Sequence, residues 1–227
     1  MSRLVAAFAA LAFLIAAGAA SAGAGASPET GARTAAAKPP ITKKLIPYPK
    51  HRKREMAAYS KRHYAQYKWR LNNPQLIVEH NAEAGSISSI FNTFRPDRPD
   101  VEFHELPGVC SHFAVSAGGG IYKFVPVSIR CRHTVGLNWT AIGIEHVGFS
   151  DHDILNRPAQ LKASLRLTQW LRCRFGIPIS QVIGHNESLS SPFYKELDPR
   201  FKGQTHGDWN HADMNVYRAD LSKLGEC

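Results

Sequence analysis

None of the four cysteines, Cys110, Cys131, Cys173 and Cys227, is spaced as a Cys-x-x-Cys pair, so a cysteine-built zinc finger or ribbon has no framework here. No His-Glu-x-x-His occurs, which removes the helix-borne ligand pair of the zinc peptidases. Helix-turn-helix, zinc-finger and RNA-binding signatures are also missing, so the formal charge of +10 does not by itself make a nucleic-acid binder. No internal repeat is visible. The apolar run Leu4 to Ala17 falls short of the about 20 residues a membrane-spanning helix needs. Acidic residues are scarce in one region above all: from Arg33 to Arg70 there is one, Glu55, against twelve Lys or Arg.

What is present begins with that apolar run. Arg3 precedes it and Ala20-Ser21-Ala22 follows, the order of a secretory signal, so residues 1–22 are expected to direct export, with no transmembrane segment after their removal. In an oxidising compartment an even set of cysteines reads as disulfides. The favoured pairing is Cys110–Cys131, flanking strands that a hairpin can bring together, and Cys173–Cys227, tying a helix to the chain's last residue. Residues 23–50, rich in Ala, Gly, Pro and Lys, are expected to form a flexible basic linker. Met56, Tyr59, His63 and Tyr67 recur at helical spacing, so residues 51–73 are expected to hold a basic amphipathic helix over Arg52 to Trp69. Its charge suits an anionic partner, and packing on the domain is an equal reading. If charge only tethers, removing residues 23–70 leaves the domain's activity intact.

A domain spanning 74–227 is expected to mix strands and helices. Gln75 to His80, Val109 to Val115, Ile121 to Val127, Thr140 to Val147 and Gln181 to His185 read as strands, the second and third joined by Ala117-Gly-Gly-Gly120. Ala84 to Phe94, a stretch opened by Pro158 and stopped by Gly176, and Ala212 to Leu224 read as helices. The fold class is therefore α/β, a central mixed sheet flanked by helices.

Two of these apolar strands end in histidine, His80 and His185. Strand ends hold side chains still at a cleft, and a catalytic zinc wants three protein ligands with one position open. The third would come from the polar loop after His185, which contains Asp198-Pro199 and Thr205-His206-Gly207-Asp208.

Leu76-Ile-Val-Glu-His80, Ser111-His112-Phe113, Gly118 to Pro126, His133-Thr-Val-Gly136, Ala141-Ile-Gly-Ile-Glu145 and Val182-Ile-Gly-His185 follow one another in that order. Together they resemble the successive motifs of type-2 N-acetylmuramoyl-L-alanine amidases, the peptidoglycan recognition protein fold, over Pro74 to Leu221. The resemblance implies Zn2+ held by His80, His185 and an aspartate or cysteine, and peptidoglycan as partner. It implies Glu145 as the strand glutamate that activates water. The chain departs from the family's Lys-x-Asp: His206-x-Asp208 keeps the spacing with histidine in the lysine's place. Asp208 is therefore the expected ligand and His206 the oxyanion donor, with Asp198 or His206 as alternative ligands. Ser111 replaces the tyrosine some members carry, which points to the glutamate-dependent branch. His112 and His133 are expected in the substrate cleft. A secreted, wall-associated monomeric enzyme follows, with a non-catalytic peptidoglycan-binding module as its rival. Nucleic acid is not an expected partner.

Overall fold

Two hexapeptides make the centre of the molecule. Leu76–Asn81 (β2) and Ala141–His146 (β5) are each almost wholly buried, and such continuous apolar runs suit parallel strands covered on both faces. They pair in parallel over their full length, with His80 opposite Glu145. The computed structural model describes residues 36–227 and adds Thr42–Lys43 (β1), Phe113–Val115 (β3), Ile121–Lys123 (β4) and Val182–Gly184 (β6). The sheet order is β1-β4-β3-β5-β2-β6, with only β3 and β4 antiparallel. The signal sequence expected at 1–22 lies outside the described residues.

Helices cover this sheet: Lys50–Tyr64 (α1), Ile87–Phe94 (α2), Asp151–Leu155 (α3), Pro158–Phe175 (α4) and His211–Ser222 (α5). Pro158 opens α4 in its first turn, and Gly176, at φ 69°, closes it. α4 and α5 bury Leu167, Leu171, Met214, Tyr217 and Leu221 in one core with Ile77, Ile142, Ile144 and Val182.

The N-terminal stretch differs from its expectation. Within the segment expected as a linker, β1 pairs with β4 and Ile46 is buried. α1 is packed, not free. Met56, Tyr59 and His63 face inward as the helical spacing predicts, whereas Tyr67 falls beyond the helix and is exposed. Arg52, read as part of the solvated basic face, is fully buried; its guanidinium donates to the carbonyls of Pro47, Phe94, Gly108 and Val109. Those carbonyls have no other side-chain donor, and together with Asp97, whose Oδ1 lies 3.5 Å from the Arg52 Nε, they match the buried charge. The helix is therefore structural, and removing residues 23–70 would strip a wall from the domain.

The disulfides pair as expected, Cys110–Cys131 and Cys173–Cys227. The second closes a loop with a sequence separation of 54, which confers about 4 kcal/mol in the chain-entropy account. Cys173→Ser with Cys227→Ser should lower stability by roughly 2–5 kcal/mol in a denaturant titration. A loss under about 0.5 kcal/mol would mean that α4 and the segment after α5 need no covalent tie.

Alternation places Glu79 on the sheet face opposite His80, beneath α4 and α5. There Thr168 donates to its carboxyl, and His146, Ser164 and Tyr217 complete a buried polar chain. Burial pushes the Glu79 carboxyl up from 4.5 to about 8, with hydrogen bonds from Thr168 and Tyr217 opposing. A raised folded-state pKa means the protonated acid stabilises. That stability is whole below pH 4.5 and is lost as pH rises through about 8. Glu79→Gln should therefore gain in melting temperature relative to wild type as pH rises across that window. Parallel curves for the two proteins would contradict a proton on Glu79.

Candidate metal centre and cleft

The register that pairs His80 with Glu145 puts both side chains on one face at the carboxyl ends of parallel strands, where open α/β sheets present their ligands. β6 extends the row. Glu79 pairs with Gly184, so the next residue, His185, emerges beside His80. On the other flank Ala114 pairs with Glu145, and its small side chain leaves the carboxylate room. Gly143 is required by packing: a Cβ there would come within 2.7 Å of the His133 ring.

Gly184 explains how a distant loop reaches this row. A Cβ on it would lie 1.8 Å from the Trp209 carbonyl oxygen, so only glycine lets the loop lie against the end of β6. Trp209 takes φ 52°, in the left-handed region, with its indole fully buried. Asn186 donates its backbone N–H to the Asp208 carbonyl, and Thr205 donates to that of His185. The carboxylate of Asp208 is thereby delivered to the two histidines.

The resulting triad is tight. The Nδ1 atoms of His80 and His185 lie 3.1 Å apart. Asp208 Oδ2 is 3.3 Å from the first and Oδ1 3.2 Å from the second. Ligands around a tetrahedral zinc, bonded at about 2.0–2.1 Å, stand roughly 3.3 Å from one another. Among the described residues His80, His185 and Asp208 are the one group of three able to hold a metal ion. Two imidazole nitrogens that both face a carboxylate and each other lack protons to satisfy every contact, a deficit that a cation fills. Burial pushes His80 down to about 4, so its neutral, ligating form prevails. Burial opposes ionisation of Asp208, yet hydrogen bonds from His185 and His80 hold its carboxyl far below the usual range.

His133 has a role beyond lining the cleft. Its Nδ1 lies 3.1 Å from His80 Nε2, and Thr134 Oγ1 lies 3.3 Å from that same nitrogen. With His80 Nδ1 turned to the metal position, Nε2 carries the proton and donates to them, which fixes tautomer and ring orientation. Asn138 in turn accepts from the backbone N–H groups of His133 and Thr134, and donates to Tyr59 of α1. α1 thus supports the site, a contribution its basic sequence conceals.

His112 does not reach the cleft. It is fully buried: Nδ1 accepts from the Gly143 N–H and Nε2 donates to the Ile129 carbonyl, so both nitrogens are spent on backbone. It shapes the strand that carries Glu145. Asp198 is also elsewhere, paired with Arg200 and outside the triad. His206 is exposed, its ring 4.8 Å from that of His185.

The triad opens into a cleft of about 1020 Å³ lined by Glu145, His133, His206, Tyr59 and the loop Pro96–Phe103, among others. Burial, and then the charge of Asp208, raise the Glu145 carboxyl to about 8. A basic carboxylate in an open cleft beside a metal-competent triad is equipped to move protons during hydrolysis.

Fold and site define an α/β domain with a His-His-Asp centre at the strand ends of a mixed sheet. Residues 70–200 match the N-acetylmuramoyl-L-alanine amidase family, and the chain belongs to that family, whose substrate is peptidoglycan. Similar folds include the endolysin N-acetylmuramoyl-L-alanine amidase LysCS from Clostridium intestinale URNW, 18% identical over 82% of this chain and 98% of that one, TM-score 0.51. PlyL is another, at 15% identity over 80% and 96% of the two chains, TM-score 0.50. No curated protein matches the chain in sequence.

Proposed function

We propose that the protein is a secreted, zinc-dependent N-acetylmuramoyl-L-alanine amidase, cutting the amide between the lactyl group of muramic acid and L-alanine. The observation that carries this reading is the convergence of His80, His185 and Asp208 next to Glu145 in an open cleft. His80, His185 and Asp208 would hold the metal. Zinc bound there supplies Lewis-acid polarisation of the carbonyl and a lowered pKa for water. Glu145 takes a proton from the attacking water as the oxygen bonds to the carbonyl carbon. It then passes that proton to the alanine nitrogen as the C–N bond breaks, leaving a lactyl carboxylic acid and a free amine. His206, at the cleft rim, donates to the developing oxyanion.

Two disulfides support an oxidising compartment, and among the described residues no helix is long and apolar enough to cross a membrane. The cations before residue 70 are proposed to hold the enzyme against anionic wall polymer. Incubation with purified wall should release stem peptides bearing a new amino-terminal alanine, with no new reducing sugar ends. Wall binding without release would make the protein a non-catalytic recognition module.

A further inference from the structure

A second cavity, of about 440 Å³, lies between α1 and the segment after it, lined by Lys50, Lys53, Arg54, Ala57, Tyr67 and Trp69. It shares no lining residue with the cleft. Lys50, Lys53, Arg54 and Ala57 follow the i, i+3, i+4, i+7 pattern of one helix face, and the small Ala57 leaves a notch between longer side chains. The lining itself is mostly aliphatic stem and aromatic ring, and the charges those stems carry to the rim are of one sign. Among the described residues no carboxylate pairs with these three cations, and Glu55, the helix's one acid, lies beside Asp97. Lys53 and Arg70 sit 4.7 and 4.3 Å from the Trp69 ring centre, which holds both charges at the rim. Tyr67 is 65% exposed. Tyr59, on the same helix, lines the cleft, so one helix, about 10 Å thick, lies between groove and active site.

We infer that this groove binds a linear phosphodiester polymer of the wall, its phosphates paired with Lys50, Lys53 and Arg54 and a polyol or sugar unit against Tyr67. A concave groove of about 440 Å³ admits a unit of a chain, whereas a flat anionic bilayer would meet only the cations at its rim. The inference rests on the wall reading only for the source of the polymer. Cosedimentation of the full chain tests it, with wall that carries its phosphodiester polymer, the same wall stripped of it, and phosphatidylglycerol vesicles. The groove variant K50Q/K53Q/R54Q is compared with K162Q/R166Q/K223Q, which loses the same charge elsewhere. Wild type should prefer the polymer-bearing wall by about tenfold or more; the groove variant should lose that preference and the control keep it. Equal loss in both variants, or vesicle binding as tight as wall binding, would overturn the proposal. Failure of the amidase reading shows separately, as absent cleavage of a soluble muropeptide by wild type.

Independently, the geometry points to Asp151 as a positioning residue for the metal centre. It is the first residue of α3 and is buried. Its Oδ1 accepts from the Asn81 side chain at 2.8 Å, and its Oδ2 accepts from the backbone and side-chain N–H groups of Asn210 at 3.1 and 3.4 Å. Asn81 is the last residue of β2, next to His80, and its own N–H donates to Asp208 Oδ2 at 3.3 Å. Asn210 follows Asp208 by two residues and caps α5. One carboxylate thus ties the strand bearing His80 to the loop bearing Asp208, and so sets the distance between two of the three ligands. Asp151→Asn, whose single oxygen can accept from Asn81 or from Asn210 but not from both, should weaken zinc binding about 10- to 100-fold in competition with a chromophoric chelator. Asp151→Glu should recover part of the loss. A purely structural role would lower the melting temperature of the metal-free protein and leave zinc affinity within about twofold, which would refute the assignment. This inference rests on the metal reading: wild type that binds no zinc removes both, whereas wild type that binds with D151N unchanged removes this one alone.

Discussion

Replacing Glu145 with glutamine is expected to lower turnover of muropeptide by roughly 100- to 10,000-fold while zinc content stays at the wild-type level. The amide matches the carboxylate in size and retains one acceptor oxygen, so the buried site between Ala114 and His80 should stay packed. What it loses is basicity. A carboxyl raised to about 8 by burial and by Asp208 is a strong proton acceptor for its kind, and an amide at that position accepts none. KM should change little, because Glu145 is asked to act on water and the leaving nitrogen rather than to grip the glycan. A variant with full kcat would remove the proposed base. One that also loses zinc would make Glu145 part of the metal's support.

Asp208→Ala should weaken zinc binding by at least about 100-fold and abolish hydrolysis with it, while Asp198→Ala leaves both unchanged. The contrast follows from position. Asp208 stands 3.2–3.3 Å from both imidazoles, whereas Asp198 is committed to Arg200. Removing Asp208 also leaves two closely spaced imidazoles with no anion to balance a dication. His206→Ala should behave differently again, keeping zinc and losing part of kcat, since its exposed ring neighbours His185 without joining the triad. Zinc loss in the Asp198 or His206 variant, with Asp208→Ala silent, would move the third ligand.

The sequence made the centre of this molecule readable because β2 and β5 state their burial openly. Leu76-Ile-Val and Ala141-Ile-Gly-Ile are apolar on both faces, and each runs into a Glu-His pair at its end. Which member of each pair faces the cleft is a matter of register. The structure sets His80 against Glu145 and sends Glu79 and His146 to the far side. Edges were harder to read. Val109 to Val115 looks like one strand, but Ser111 folds its hydroxyl onto the Phe113 and Gly143 carbonyls and only Phe113–Val115 pairs. The helix expected from Ala84 begins at Ile87 because Ser86 caps it, accepting from the Ser89 N–H.

Site residues fared according to what held them. Strand-end histidines carry a local signal, and Gly184 carries another whose meaning appears only when Trp209 is found against it. The buried His112 and the paired Asp198 were indistinguishable in sequence from cleft residues, since the spent nitrogens of the one and the Arg200 contact of the other are tertiary facts. Tyr59 showed only the inward face of its helix, and Asn138 and Asp151 gave no sign of a place at the site. Each acts through a hydrogen bond spanning 59 residues or more: Tyr59 with Asn138, and Asp151 with Asn81 and Asn210.

Crystals soaked in zinc and measured on both sides of the zinc absorption edge test the central claim most directly. The account predicts a single strong anomalous peak about 2.0–2.2 Å from His80 Nδ1, His185 Nδ1 and a carboxylate oxygen of Asp208. An empty map at that point, or a peak held by other side chains, would contradict it.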